Sequence, residues 1–363
     1  MKYSQYFASS YAQARQNFIS SCTGEATLIE SWQHPLRGIV GEKLYLDLAW
    51  FGDRSARKVM VLISGTHGIE GFCGSGIQVG TVVIGFHQKA DRDVAILMIH
   101  GLNPWGMSFY RRVNEDGVDI NRNFLDFSKP LPTNPLYQDL AEAIVPQTWT
   151  PEVQRSTFQQ VFEYLANSEV DQTENLAKGQ YQYWYAPFYG GEVPAWSNRI
   201  FHQIANKYLR DKQVVGVLDY HTGLGEYGTG QLMTIEPENS SQPDLANHVW
   251  GDKVIITGSP NSVAPYKPHG TLLAALPNTL SQSTCLAAAY EFGTISETEV
   301  FAALRADHWL YLHGDLNSKQ AQVIREDMIE AFYSDRSDWQ ESICNLAFVA
   351  QTELFDYLRA TNP

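Results

Sequence analysis

Positive charge is scarce in this sequence. Twenty-six Lys and Arg stand against 40 Asp and Glu, a formal net charge of −14. Such a chain lacks the basic face that nucleic-acid binding needs and has no general attraction for anionic lipid. An anionic small substrate stays possible, because one buried arginine can outweigh the global field locally. Cysteine is scarce too. Cys22, Cys73, Cys285 and Cys344 are scattered, with no Cys-x-x-Cys pair. That excludes a zinc ribbon and a disulfide scaffold, and it fits a reducing compartment. No apolar run approaches the roughly 18 residues needed to cross a membrane. The polar and aromatic residues 1–22 have no secretory h-region. The expected location is cytoplasmic and the expected partners include neither nucleic acid nor membrane; the oligomeric state is left open.

What is present describes a globular chain. At 363 residues, 44% apolar and 18% charged, it is long enough to bury a substantial core. Hydrophobic periodicity predicts a helix over 3–19, stopped by Gly24, then strands over 26–32 and 43–51. The second alternates Leu44, Leu46, Leu48 and Trp50 with Tyr45, Asp47 and Ala49, the period of a strand with one face buried. Continuous apolar runs at 58–64, 94–100 and 214–219 read as central strands, and 286–292 as a weaker one. Helices are expected over 73–86, 196–211, 296–312, 318–332 and 338–360. Strands interleaved with helices define an α/β chain with a mixed central sheet flanked by helices. Residues 125–195, with several prolines and the aromatic run Tyr181 to Gly191, read as a large insertion within one domain spanning 1–363. A helix is expected over 158–166. The aromatics are open to two readings, packing onto the sheet or a substrate-binding rim.

Chemistry accumulates at four places. The first strand-to-turn stretch, Val61-Leu-Ile-Ser-Gly-Thr-His-Gly-Ile-Glu70, delivers His67 and Glu70 amid glycines, a compact pair of metal donors. Zn²⁺ held this way needs a third protein ligand and an open position to be catalytic. A polar surface loop would look the same in isolation. Next comes Arg111-Arg-Val-Asn-Glu-Asp-Gly-Val-Asp-Ile-Asn-Arg-Asn-Phe124, dense in guanidinium and amide donors that suit a carboxylate or an oxyanion. The third, Val214-Val-Gly-Val-Leu-Asp-Tyr-His-Thr-Gly223, again ends an apolar strand in a histidine, His221. The fourth, Ala287-Ala-Ala-Tyr-Glu-Phe-Gly293, sets Glu291 at the end of another apolar run. Open α/β sheets bind ligands beyond the carboxyl ends of their strands.

In this order the motifs resemble those of the zinc carboxypeptidase (carboxypeptidase A-like) family, with a further likeness to the aspartoacylase/succinylglutamate desuccinylase group. The likeness rests on His67-Gly-Ile-Glu70, Arg112 ahead of Gly117-Val-Asp-Ile-Asn-Arg-Asn-Phe124, His221 and Glu291. It implies the family's phosphorylase/hydrolase-like fold and one Zn²⁺ held by His67, Glu70 and His221. It further implies Asp119 orienting His67 through its non-ligating nitrogen, and Arg112 stabilising the oxyanion, with Arg111 as the competing choice. Asn121 and Arg122 would grip a substrate carboxylate, and Glu291 would serve as general base and then acid. The tyrosine that closes over the substrate in the family's digestive members has Tyr266 as its candidate, with Tyr290 or the aromatic insertion as alternatives. The implied activity is zinc-dependent hydrolysis of a C-terminal peptide or amide bond. The alternatives are a deacylase of N-acyl amino acids on the same machinery, or a binding protein that has lost the chemistry. The expected substrate is a small peptide or acyl-amino acid with a free carboxylate.

Overall fold

The computed structural model describes residues 3–167, 175–235, 242–258 and 266–361. Among them eight strands form one mixed sheet: β1 (Leu28–Arg37), β2 (Lys43–Phe51), β3 (Lys58–Ser64), β4 (Val94–His100), β5 (Val214–Tyr227), β6 (Gly230–Thr234), β7 (Val254–Ile256) and β8 (Thr284–Gly293). The spatial order is β1-β2-β4-β3-β5-β8-β6-β7. The centre, β4-β3-β5-β8, is parallel, and β2 and β6 pair antiparallel on its two sides.

Parity along the central strands decides which side chains can meet. In β3, Val59, Val61 and Ile63 enter one buried cluster while Met60 and Leu62 enter the other. β5 divides likewise, Val215 and Val217 on one face and Val214, Leu218 and Tyr220 on the other. The first face is covered by α6 (Trp196–Ile204) and α8 (Leu272–Thr279). The second lies under α2 (Gly71–Val83), α7 (Gln242–Trp250) and the long α11 (Ser337–Ala360). At Gly216 an added Cβ would stand 2.7 Å from Leu354 Cδ1, so α11 lies close on the sheet there. No helix among the described residues is long and apolar enough to cross a membrane.

Expected and observed elements coincide at β2, β3 and β4, agree to within one residue for the three C-terminal helices, and differ elsewhere for local reasons. The first helix, α1 (Tyr11–Cys22), starts late because Ser10 caps it, its Oγ accepting from Gln13 N–H, and Tyr3–Tyr6 form a separate 3-10 turn. β1 runs on past Pro35, which an edge strand tolerates, with a register shift between Gln33 and Arg37. α2 ends at Val83 because Gly85 turns left-handed (φ 78°), and Phe86–Lys89 follow as a 3-10 turn. After α6 the chain continues as a π-helical turn, Ala205–Leu209. The short β6 and β7 and the helices α7 and α8 have no counterpart among the expected elements.

Within 125–195 lie α4 (Leu136–Ile144) and α5 (Pro151–Asn167), following the short α3 (Pro104–Ser108); the expected 158–166 falls inside α5. This region packs on α9 (Glu297–His313) and α10 (Lys319–Phe332) through Tyr137, Leu140, Trp309 and Ile324, with Tyr183 and Tyr185 against them. Most of its aromatics therefore serve a helical layer beside the sheet.

Candidate metal centre and active site

β3 ends at Ser64 and the chain turns at Gly65, whose φ of 76° is left-handed. The turn lies flush on α3: a Cβ on Gly68 would stand 2.2 Å from Gly106 C. Gly68 and Ile69 donate their backbone N–H groups to the carbonyls of Arg112 and Arg111. The His67/Glu70 turn and the arginine-rich loop are thus stitched together, with Glu70 at the start of α2.

His67, Glu70 and His221 are all buried, and one donor atom from each lies within 4.8 Å of the others. His67 Nδ1 is 2.9 Å from Glu70 Oε1, His221 Nδ1 is 3.1 Å from Glu70 Oε2, and the two Nδ1 atoms are 3.2 Å apart. Tetrahedral zinc with bonds of about 2.0–2.1 Å separates its donors by about 3.4 Å. Two imidazole nitrogens and a carboxylate converging at nearly that spacing fit the ion by size and by donor chemistry.

Each histidine is also held from behind. His67 Nε2 meets Asp119 Oδ1 at 3.0 Å, and His221 Nε2 stands 2.9 Å from Asp219 Oδ2, close but off the line of a good hydrogen bond. Thr66 donates its hydroxyl to Asp219, and Thr222 N–H donates to Glu70 Oε2. Carboxylates placed this way fix the ring and leave Nδ1 as the donor to a metal. Arg112 bridges the assembly, Nη1 donating to Glu70 Oε1 at 2.8 Å and Nε to Asp119 Oδ2 at 3.1 Å. Burial alone would raise both carboxyls; His67, His221 and Arg112 hold Glu70 below the usual carboxylate range, and Arg112 and His67 do the same for Asp119. Burial would lower the His221 imidazole, but Asp219 and Glu70 raise it well above its ordinary value.

Beside the donors is a cavity of about 140 Å³. Arg112, Asn121, Arg122, Tyr266 and Glu291 line it together with His67, and Met233, Ile235, Leu273 and Ala289 supply apolar wall. Glu291 is the register partner of His221 across the β5–β8 ladder. Its Oε2 is enclosed without a protein hydrogen-bond partner among the described residues. Burial, aided by Glu70 and opposed by His221 and Arg112, pushes its carboxyl up to about 8. A carboxylate so poised can take and return a proton near neutral pH. Arg122 donates to the carbonyls of Ala177 and Asn121 and pairs with no carboxylate among the described residues. Asn121 Oδ1 accepts from Leu272 N–H. Tyr266 sits where its hydroxyl feels Arg122, Arg112 and Glu291, while residues 263–265 before it lie outside the described residues.

The structure thus brings every candidate from the four motifs to one place, with two exceptions among the alternatives. Arg111 points elsewhere, its Nε and Nη2 on Asp307 at 2.9 Å and its guanidinium 3.6 Å from the Tyr311 ring centre. Tyr290 lies on the other sheet face, against Phe292. Asp219 and Thr66 also belong to the site, although the four motifs do not mark them. The signal for Asp219 was the strand itself: residues two apart share a face, so Asp-x-His at 219–221 places a carboxylate beside the ring.

An eight-stranded mixed sheet flanked by helices, with this cluster at its strand ends, is the carboxypeptidase-like α/β fold. The chain belongs to the family described as "Protein of unknown function (DUF2817)", whose model matches residues 7–345. Among solved structures it is similar to bovine thrombin-activatable fibrinolysis inhibitor in complex with tick carboxypeptidase inhibitor, with TM-score 0.52, 9% identity and 99% of each chain covered. It is also similar to carboxypeptidase A from Helicoverpa armigera (TM-score 0.43, 12% identity, 89% of this chain and 73% of that one). A third is an aspartoacylase family protein from Mesorhizobium loti (TM-score 0.37, 14% identity, 80% and 68%). No curated protein matches the sequence.

Proposed function

We propose that this protein is a zinc-dependent hydrolase that cleaves a C-terminal peptide or amide bond. The observation that carries the reading is the His67/Glu70/His221 donor triangle opening beside a cavity that also holds Glu291, Arg112 and Arg122. His67, Glu70 and His221 would hold one Zn²⁺, which when bound supplies Lewis-acid polarisation and acidifies water. Glu291 would take the proton of the attacking water on its carboxylate and return it to the leaving nitrogen. Arg112 would donate to the oxygen that gains charge as the carbonyl is attacked. Arg122, with Asn121 beside it, would hold the substrate's free carboxylate, and Tyr266 would close over that end. Asp119 and Asp219 would keep the two imidazoles in the tautomer that leaves Nδ1 free to bind metal.

A second reading has its own support. A cavity of about 140 Å³ is small, and it suits an N-acyl amino acid as well as the end of a peptide. The same groups would then act as a deacylase, on a partner that is a small acyl-amino acid with a free carboxylate.

Zinc-loaded protein assayed against peptides, N-acyl amino acids and esters tests both. Hydrolysis confined to peptides supports the first reading and hydrolysis confined to N-acyl amino acids the second. Stoichiometric metal with no turnover across the panel would overturn both in favour of a binding protein.

A further inference from the structure

Among the described residues only Tyr110 and Phe188 take a positive φ without being glycine, and Phe188 (φ 60°) is in the insertion. An aromatic side chain in left-handed backbone is strained, and such strain persists only where the surroundings fix it. Here they do. The Phe188 carbonyl accepts from Gln180 N–H, the Pro187 carbonyl from Tyr137 Oη, and the Gly190 carbonyl from Asn123 Nδ2. The next residue, Tyr189, accepts at its carbonyl from Asp119 N–H at 2.7 Å.

The pinned backbone presents the ring to the site. Phe188 is buried and lines the cavity, with Arg112 Cζ at 5.5 Å and Arg122 Cζ at 5.9 Å from its centre. Both lie within the reach of cation–π attraction, which strengthens when water is excluded. It also shares a buried cluster with Ile69, between the two metal-donor residues of the first turn.

We propose that Phe188 is a positioning residue by which the insertion completes the anion seat. Its ring screens the Arg112 and Arg122 guanidiniums from water and fixes their free donors toward the cavity. The inference rests on the functional reading above for the identity of the anion, a substrate carboxylate. It goes beyond that reading by making the insertion part of the site.

The test uses full-length zinc-loaded protein and two readouts. One is the affinity for N-acetyl-L-leucine, a small monoanionic probe, by titration calorimetry; the other is kcat and KM on whichever substrate of the panel turns over. Phe188→Ala is expected to weaken probe binding about tenfold or more, as loss of two desolvated cation–π contacts implies, and to raise KM by a similar factor with zinc content unchanged. Phe188→Leu keeps the bulk without the π face and is expected to stay weak, whereas Phe188→Tyr restores binding. Leu binding as well as Phe, or wild-type protein failing to bind the probe at all, would overturn the inference. Probe binding that depends on the aromatic ring in a protein that hydrolyses nothing would uphold it while the hydrolase reading failed.

Discussion

His221 of β5 and Glu291 of β8 are partners in the parallel ladder, one strand apart and on the same sheet face. A candidate metal donor and a carboxylate oxygen that has no protein partner among the described residues, Glu291 Oε2, are thereby set side by side by the strand pairing. The two groups should separate functionally. Glu291→Gln is expected to keep zinc at one equivalent while kcat falls about a thousandfold, within the range for loss of a general base. Metal analysis and turnover on the same preparation check it; surviving activity would remove Glu291 from the proton transfer.

His221→Ala is expected to lose zinc, and Asp219→Asn to weaken it about 10–100-fold, the usual effect of removing a carboxylate behind a ligating imidazole. Competition with a metal-sensitive dye gives both numbers. An Asp219→Asn affinity equal to wild type would mean that Thr66 and Asp219 do not orient the ring.

Neighbouring arginines should differ in their effect on turnover. Arg111 and Asp307 form a buried ion pair, so Arg111→Ala is expected to cost about 3–5 kcal/mol of stability by stranding Asp307. Arg112→Met also takes a partner from the buried Glu70 and Asp119 and so costs stability as well, but it alone is expected to lower kcat, by about a hundredfold or more. Urea unfolding beside kinetics distinguishes them, and the reverse pattern would reinstate Arg111 as the oxyanion donor.

Acid should expose a different weak point. Burial depresses the His100 imidazole to about 4, and its Nδ1 has no partner among the described residues. The unfolded chain therefore binds this proton more readily, so stability is complete above about pH 6.5 and is lost as pH falls toward 4. Between pH 7 and 5 this single group should cost about 2 kcal/mol. Denaturant titrations at the two pH values should show a smaller loss in His100→Gln; an equal loss would place the acid sensitivity elsewhere.

The sequence revealed the central sheet because β3 and β4 are buried on both faces and carry no internal polar residue to blur their limits. Lys58 and His100 mark their ends. β6 and β7 carry five and three residues, too few for a period to emerge, and α8 holds Pro277 within it. The site was legible through residue types whose chemistry is distinctive, His67, Glu70, His221 and Glu291 among them. Asp219 was hidden because a single carboxylate inside an apolar strand reads as an interruption. Phe188 was hidden because its importance lies in a backbone angle. Only the family resemblance favoured Arg112 over Arg111, since Asp307, which claims Arg111, is nearly 200 positions away.

Alternation along β5 has one more consequence. A slip of one residue against β3 or β8 would turn Asp219 and His221 toward α11 and bring their neighbours into the cavity. Such a chain would be nearly as apolar and nearly as well hydrogen-bonded, yet it would have no place for an ion. An ion bound by His67, Glu70 and His221 would therefore proofread strand register: it would select, from compact alternatives of similar burial, the one arrangement in which distant parts of the chain agree.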